Sequence, residues 1–203
     1  AFCANEALDG PKWFPQLEEN GPASALGIVD GPDEDMEVMP AAFFAAINAA
    51  KEEILIATPY FLPTAVLMAA LRLAAIRGVK VRILTPKVNN IPFVAWAAQT
   101  LYPELLAVGC RIFESPPPFD HAKFFLIDGV WSFLGSTNWD PRSLRLNFEF
   151  NLASHDVELG RRLSAEMDAK LAHSREITQE MLENAPLPQR LRLDRPARRP
   201  GGC

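Results

Sequence analysis

The segment His121-Ala122-Lys123-Phe124-Phe125-Leu126-Ile127-Asp128-Gly129-Val130-Trp131-Ser132-Phe133-Leu134-Gly135-Ser136-Thr137-Asn138 holds two β-rich runs joined by an Asp-Gly pair. Asp-Gly is a strong signal for a two-residue hairpin loop, because both residues tolerate positive φ. It predicts an antiparallel hairpin of His121–Ile127 with Val130–Ser136. Strand side chains alternate, so His121 and Lys123 share a face. A two-residue loop pairs Ile127 with Val130, hence His121 with Ser136, and sets the hydroxyl beside the imidazole. Gly135-Ser136-Thr137-Asn138 then turns past the strand end and brings the Asn138 amide to the same spot. Imidazole, ammonium, hydroxyl and amide together offer a nucleophile or general acid and several donors to anionic oxygens. That set suits phosphoryl chemistry, where positioning and electrostatic stabilisation dominate. A bare H-x-K is usually a pair of half-exposed strand residues. The full string, with Asp128, Gly135, Ser136 and Asn138 at their spacings, weighs against that reading.

Upstream the periodicity is different. Leu26–Val29, Ile54–Ala57, Val79–Leu84 and Arg111–Phe113 read as short strands. Between them, helices are expected from about Pro40 to Lys51, from a Thr64 cap to Arg77 with Gly78 as the stop, and from Pro92 to Gly109. This alternation predicts parallel strands with covering helices. Leu146–Leu152 reads as a seventh strand, and helix returns from about Asp156 to His173 and again to Glu183. The fold class is α/β, a mixed β-sheet flanked by helices on both faces. The expected organisation is an irregular segment 1–24, one domain over 25–185 and a basic, disordered tail over 186–203.

Composition excludes several classes. With 203 residues, 49% hydrophobic and 22% charged, the chain has the make-up of an ordinary folded domain. No apolar run reaches the ~18 residues needed to span a bilayer. The net charge of −5 is uneven: residues 1–37 carry −8, residues 190–203 carry +4, and the middle is near −1. A basic stripe across the fold, the usual mark of a nucleic-acid binder, is missing, so no nucleic acid is expected. Cys3, Cys110 and Cys203 are too few and too scattered for a zinc site or a disulfide framework. The acidic run Asp30–Glu37 lacks the ligand spacing of a calcium loop. No metal ligands and no cofactor are expected.

The string His121-x-Lys123-x4-Asp128-x6-Gly135-Ser136-x-Asn138 is similar to the H-K-D signature of the phospholipase D superfamily. Thr58–Pro63, Arg77–Arg82 and Asn138–Glu149 narrow the likeness: residues 1–190 resemble the C-terminal half of bacterial cardiolipin synthases. The resemblance implies a phospholipase D-type domain with His121 acting at phosphorus, Lys123 and Asn138 holding non-bridging oxygens, and Ser136 assisting. Glu149 matches a carboxylate that hydrogen-bonds a catalytic histidine. Asp128 completes the motif, but its place in the turn favours a structural role. Tyr60, in a Pro-bracketed loop, and Arg142 are expected to touch substrate, with core packing for the Tyr60–Phe61 pair and surface ion pairing for Arg142 as alternatives. Ile91, Phe93, Trp96 and Leu101 read as a helix face packed into the core, with an interfacial membrane contact as the alternative.

Such enzymes build one site from two motifs, one histidine taking the phosphoryl group and the other protonating the leaving group. This sequence has one motif, since His155 and His173 lack the following Lys and fit helix-start or surface positions. As a second motif, His121 would supply the acid; in a homodimer the roles are symmetric. Phe2–Leu8 resembles the end of a first half, and Leu193–Cys203 departs from the usual apolar finish, as in a truncated or frame-shifted product. The implied function is transfer of a phosphatidyl group from one phosphatidylglycerol to another, giving cardiolipin and glycerol, with this chain as one half-site. The alternatives are a homodimeric phosphodiesterase or nuclease and a non-catalytic half-domain that binds a partner. The implied setting is the bacterial cytoplasmic membrane, bound peripherally, with a missing half or a second subunit as partner.

Overall fold

Short aliphatic runs bounded by turn residues become the centre of a sheet, because each is too short for a helix and buries both faces. The computed structural model describes residues 10–16, 18, 21, 23–32 and 38–184. Among them are strands β1 (Ser24–Asp30), β2 (Glu53–Ala57), β3 (Lys80–Pro86), β4 (Arg111–Ser115), β5 (Phe124–Ile127), β6 (Trp131–Gly135), β7 (Glu149–His155) and β8 (Arg175–Ile177). The helices are α1 (Val38–Ala49), α2 (Ala65–Ile76), α3 (Pro92–Gln99), α4 (Tyr102–Leu106), α5 (Val157–Ala172) and α6 (Gln179–Glu183). All eight strands form one mixed sheet in the order β1-β7-β6-β5-β2-β3-β4-β8. Neighbours β2, β3 and β4 run parallel, and every other neighbouring pair is antiparallel.

Alternation along β2 shows how the layers form. Ile54 and Ile56 join Met39, Phe43 and Ile47 of α1 and Leu67 and Leu71 of α2. Leu55 and Ala57 face the other way, with Leu84, Phe113, Leu126 and Met167 of α5. Helices therefore cover both faces of the sheet, giving the expected α/β class.

The details depart from the sequence expectation in five places. β1 does not neighbour β2; it runs in the same direction but pairs with β7 at the far edge. The helix expected over Pro92–Gly109 is two, α3 and α4, because Pro103 has no N–H to continue the first. An eighth strand, β8, interrupts the C-terminal helical stretch; Arg111 holds it through a two-pronged pair with Glu176 at 2.7 Å. β7 starts three residues later than Leu146, since 141–146 is turn. The hairpin register is shifted by one. Asp128 (φ 51) and Gly129 (φ 65) make the turn, closed by the Val130 N–H on the Ile127 carbonyl at 3.0 Å. The ladder, however, pairs Ile127 with Trp131. The Val130 carbonyl is taken by the Asp156 N–H at 3.0 Å, which draws Val130 toward the end of β7 and makes it an extra turn residue.

Strand direction sorts the loops into two poles. At one pole lie the ends of β2, β3, β4 and β6 and the starts of β5 and β7. In open α/β sheets this carboxyl end of the parallel strands is where crevices form. The other pole carries the β5–β6 turn and the start of β2. The expected segment 186–203, Phe2–Leu8, most of the acidic run, and Cys3 and Cys203 lie outside the described residues.

Candidate active site

His121 and Lys123 lie in the irregular segment leading into β5, not on the strand as expected. With the shifted register, Ser136 is not directly opposite His121. What holds His121–Lys123 in place is Asp120. One carboxylate oxygen accepts the Ala122 N–H at 2.9 Å and the other accepts Lys170 Nζ of α5 at 2.6 Å. Burial alone would raise the Asp120 carboxyl, but Lys170, the Ala122 N–H and the His121 charge outweigh it and hold its pKa low.

The His121 ring is exposed, 5.6 Å from the Phe119 ring and 6.2 Å from Tyr60, centroid to centroid. Among the described residues neither of its nitrogens has a hydrogen-bond partner. Partial burial and then the Lys123 charge push its pKa below the usual histidine value, against the opposing pull of Asp120. Lys123 Nζ donates to the His121 carbonyl at 2.9 Å. Burial lowers its own pKa, more than the carboxylates of Glu149, Asp120 and Asp140 raise it. An ammonium and an imidazole are thus held together, with three carboxylates near the former.

Asn138 enters from the end of β6. Thr137 fixes the turn: its N–H donates to Asn151 Oδ1 at 3.2 Å, and its Oγ1 accepts the Asn151 amide at 2.7 Å. Trp139, stacked on Phe43 at 4.6 Å, anchors the next residue in the core. Gly135 is required because a Cβ there would strike the Asn151 side chain and the Phe150 carbonyl. Among the described residues the Asn138 Oδ1 is buried without a hydrogen-bond partner, while the residue lines an open cleft. Ser136 is engaged elsewhere. Its Oγ accepts the Phe150 N–H at 3.0 Å and donates to the Phe150 carbonyl at 3.3 Å, tying β6 to β7.

Glu149 is buried at the start of β7. One of its oxygens accepts Ser143 Oγ at 2.5 Å and Asn147 Nδ2 at 3.1 Å, and Ser143 Oγ in turn accepts the Asn138 N–H at 2.8 Å. The expected bond to a histidine is not made to His121; here the carboxylate organises the loop that presents Asn138 and supplies negative charge near Lys123.

Asp128 stands at the opposite pole. Its carboxylate accepts the backbone N–H groups of Lys51, Glu52 and Glu53 at 2.8–2.9 Å. Burial would raise its pKa, but these donors hold it below the usual carboxylate range. It pins the hairpin turn to the start of β2 and is too far from His121 to touch the same phosphate.

The cleft beside His121 has a volume of 720 Å³ and is lined by Tyr60 and Leu62, by Ile91 just before α3 and Val94 within it, and by residues of 138–147 including Arg142. Tyr60 links the two regions: its ring faces His121 and its hydroxyl donates to Asn90 at 2.8 Å. Phe61, its neighbour, is core. Arg142 is exposed and, among the described residues, its guanidinium makes no ion pair. His155 ends β7 and His173 caps α5, both exposed. Cys110 is buried, and that burial pushes its thiol up to about 12, leaving it unreactive.

Sequence reasoning missed Asp120, Ser143, Asn147 and Asn151. The one signal was position: Asp120 abuts His121, and Ser143 and Asn147 fall within the stretch that resembled the synthases.

An α/β sheet carrying H-x-K before one strand and G-S-x-N after the next defines a phospholipase D-type domain, and solved structures share the fold. A phospholipase D family member, Nuc from Salmonella typhimurium, aligns with TM-score 0.65 and 21% identity over 78% of this chain and all of that one. Phosphatidylserine synthase from Haemophilus influenzae aligns with TM-score 0.66 and 18% identity, over 83% of this chain and 44% of that one. The family model described as "Cardiolipin synthase, PLD-like domain" matches residues 43–171, and the chain belongs to that family. A cardiolipin synthase from Geobacillus kaustophilus is 34% identical over 192 residues, 94% of this chain and 38% of the relative. Cardiolipin synthase A of Klebsiella pneumoniae is 38% identical over 164 residues, 81% of this chain and 34% of the relative. The chain thus spans little more than a third of the length of these relatives.

Proposed function

We propose that this chain supplies one half-site of a cardiolipin synthase-type phosphatidyltransferase. The reaction converts two phosphatidylglycerol molecules to cardiolipin and glycerol. The observation that carries the reading is the pairing of an exposed imidazole, unpartnered among the described residues, with a lysine, next to the Asn138 cleft. Lys123 and the Asn138 amide offer donors to the non-bridging oxygens of a phosphodiester. A histidine nitrogen attacks phosphorus, the P–O bond to glycerol breaks, and a second histidine gives its proton to the departing alkoxide. The hydroxyl of the second phosphatidylglycerol then displaces the histidine, returning a proton to that acid. No step calls on a metal.

Two histidines are needed and His121 is the one in this site, so a second motif on another half or another copy completes it. This reading gives Glu149 the further role of orienting that partner histidine. Partial burial and the Lys123 charge lower the His121 pKa, which is in keeping with the attacking role; the resemblance suggested the acid role, and in a homodimer the two are symmetric. The chain acts at a membrane surface as a peripheral unit; among its described residues no helix is long and apolar enough to cross a membrane.

The test uses the two-half enzyme and radiolabelled phosphatidylglycerol in vesicles. His121→Ala is expected to abolish transfer while the circular dichroism spectrum is kept. Transfer at the wild-type rate would remove His121 from the chemistry. Cleavage of a nucleic acid in place of lipid transfer would shift the reading to a nuclease.

A further inference from the structure

One side of the cleft mouth is apolar. α3 has the sequence PFVAWAAQ and buries only Ala98. Its Val94, with the preceding Ile91, lines the cleft. Phe93 and Trp96, three residues apart and so on one helical face, lie outside it, 74% and 42% exposed. Val88, in the loop before α3, is also exposed, as is Leu146 on the facing wall. The expectation of a core-facing stripe therefore holds for Leu101, which packs on the core, and fails for Phe93, Trp96 and Ile91.

Cations accompany this apolar rim. Lys87 immediately precedes Val88, and Arg142 shares the wall with Leu146. Apolar side chains with a tryptophan, flanked by Lys and Arg, match the boundary of an anionic bilayer. The rings and aliphatic groups enter the acyl edge while the cations meet headgroup phosphate. A protein partner would need a surface of complementary negative charge around an apolar centre, whereas an anionic lipid surface presents both chemistries everywhere. The cleft opens between this apolar side and a wall on which Leu146 stands among Asn138, Asp140, Arg142 and Asn147, so a rim seated in the headgroup layer would place a lipid phosphodiester at the cleft mouth without removing the lipid from the bilayer.

We propose that Val88, Phe93 and Trp96, with Leu146 opposite, form a membrane-inserting rim that seats the cleft on an anionic lipid surface. The proposal rests on reading the cleft as a lipid-headgroup site and names the element that reaches the lipid.

Vesicle sedimentation of the 203-residue chain tests it by binding alone, independently of turnover. The probes are vesicles of phosphatidylcholine and vesicles with a large fraction of phosphatidylglycerol. The chain is expected to bind the anionic vesicles preferentially. Phe93→Asp and Val88→Asp, both at exposed positions, are each expected to weaken that binding about tenfold or more with unchanged thermal melts. Brominated acyl chains are expected to quench tryptophan fluorescence in the wild type, and much less in Trp96→Phe. Failure to bind, or binding and quenching that the three variants leave unchanged, would overturn the proposal. So would a dimer in light scattering that Phe93→Asp dissociates, since the rim would then cover a second copy. A failed binding test with intact transfer in the two-half enzyme would sink the rim and leave the catalytic reading standing.

Discussion

In the proposed reaction Lys123 has two roles that its surroundings separate. Its ammonium is available to an anionic oxygen, and its charge also acts on the neighbouring imidazole. Replacing it with Ala removes a donor from the transition state, and a loss of about 100-fold in transfer rate is expected, in line with other anion-stabilising donors. The same change removes a positive charge that opposes protonation of His121. The His121 pKa should therefore rise in Lys123→Ala, moving the acid limb of the rate profile to higher pH. Titration of the imidazole by NMR checks the sign; an unchanged or lowered pKa would show that the two side chains are not coupled. The pair was legible in the sequence because H-x-K at two-residue spacing brings both groups to one place even in an extended segment. The surroundings were not legible. Asp120 acts through Lys170, fifty positions away, and the partners of Glu149 are set by a turn whose geometry no pattern announced.

The β5–β6 hairpin shows what an element adds to its residues. Asp-Gly declared the turn, and the turn is there with both residues at positive φ. The register was lost because Val130 is claimed by Asp156, the N-cap of α5, and such a contact is invisible to a local rule. Asp128 matters to this element through its three backbone donors. Asp128→Asn keeps a residue that tolerates positive φ and removes the charge, and should cost about 1–2 kcal/mol in urea unfolding at pH 7. The sign with pH follows from the depressed pKa. The stabilisation is full above the ordinary carboxylate range and is lost as pH falls through the folded-state pKa. The gap between wild type and variant should therefore close in acid. A gap that persists or widens at low pH would show that the carboxylate charge is not what the three N–H groups recognise.

At the scale of the whole molecule, one mixed sheet separates chemistry from scaffolding. The carboxyl ends of the parallel strands and the flanking antiparallel strand ends gather His121, Lys123, Asn138, Glu149 and Tyr60 at one pole, while Asp128 clamps the other. The class of the sheet was legible from the alternation of short strands and helices. The position of β1 was not, because strand order depends on long-range pairing: β1 joins β7, more than a hundred residues later. The site itself is open, with His121 exposed and without an orienting partner among the described residues. An in-line transfer needs an attacking group and a proton donor on opposite sides of phosphorus. The direct test is the rate of transfer from phosphatidylglycerol by the purified 203-residue chain across a concentration series, with its mass followed by light scattering. No transfer is expected while the chain is a monomer, with activity appearing on dimerisation or on adding a polypeptide that carries a second H-x-K-x4-D motif. A monomer that turns over substrate in proportion to its concentration, and loses that activity in His121→Ala, would contradict the shared site.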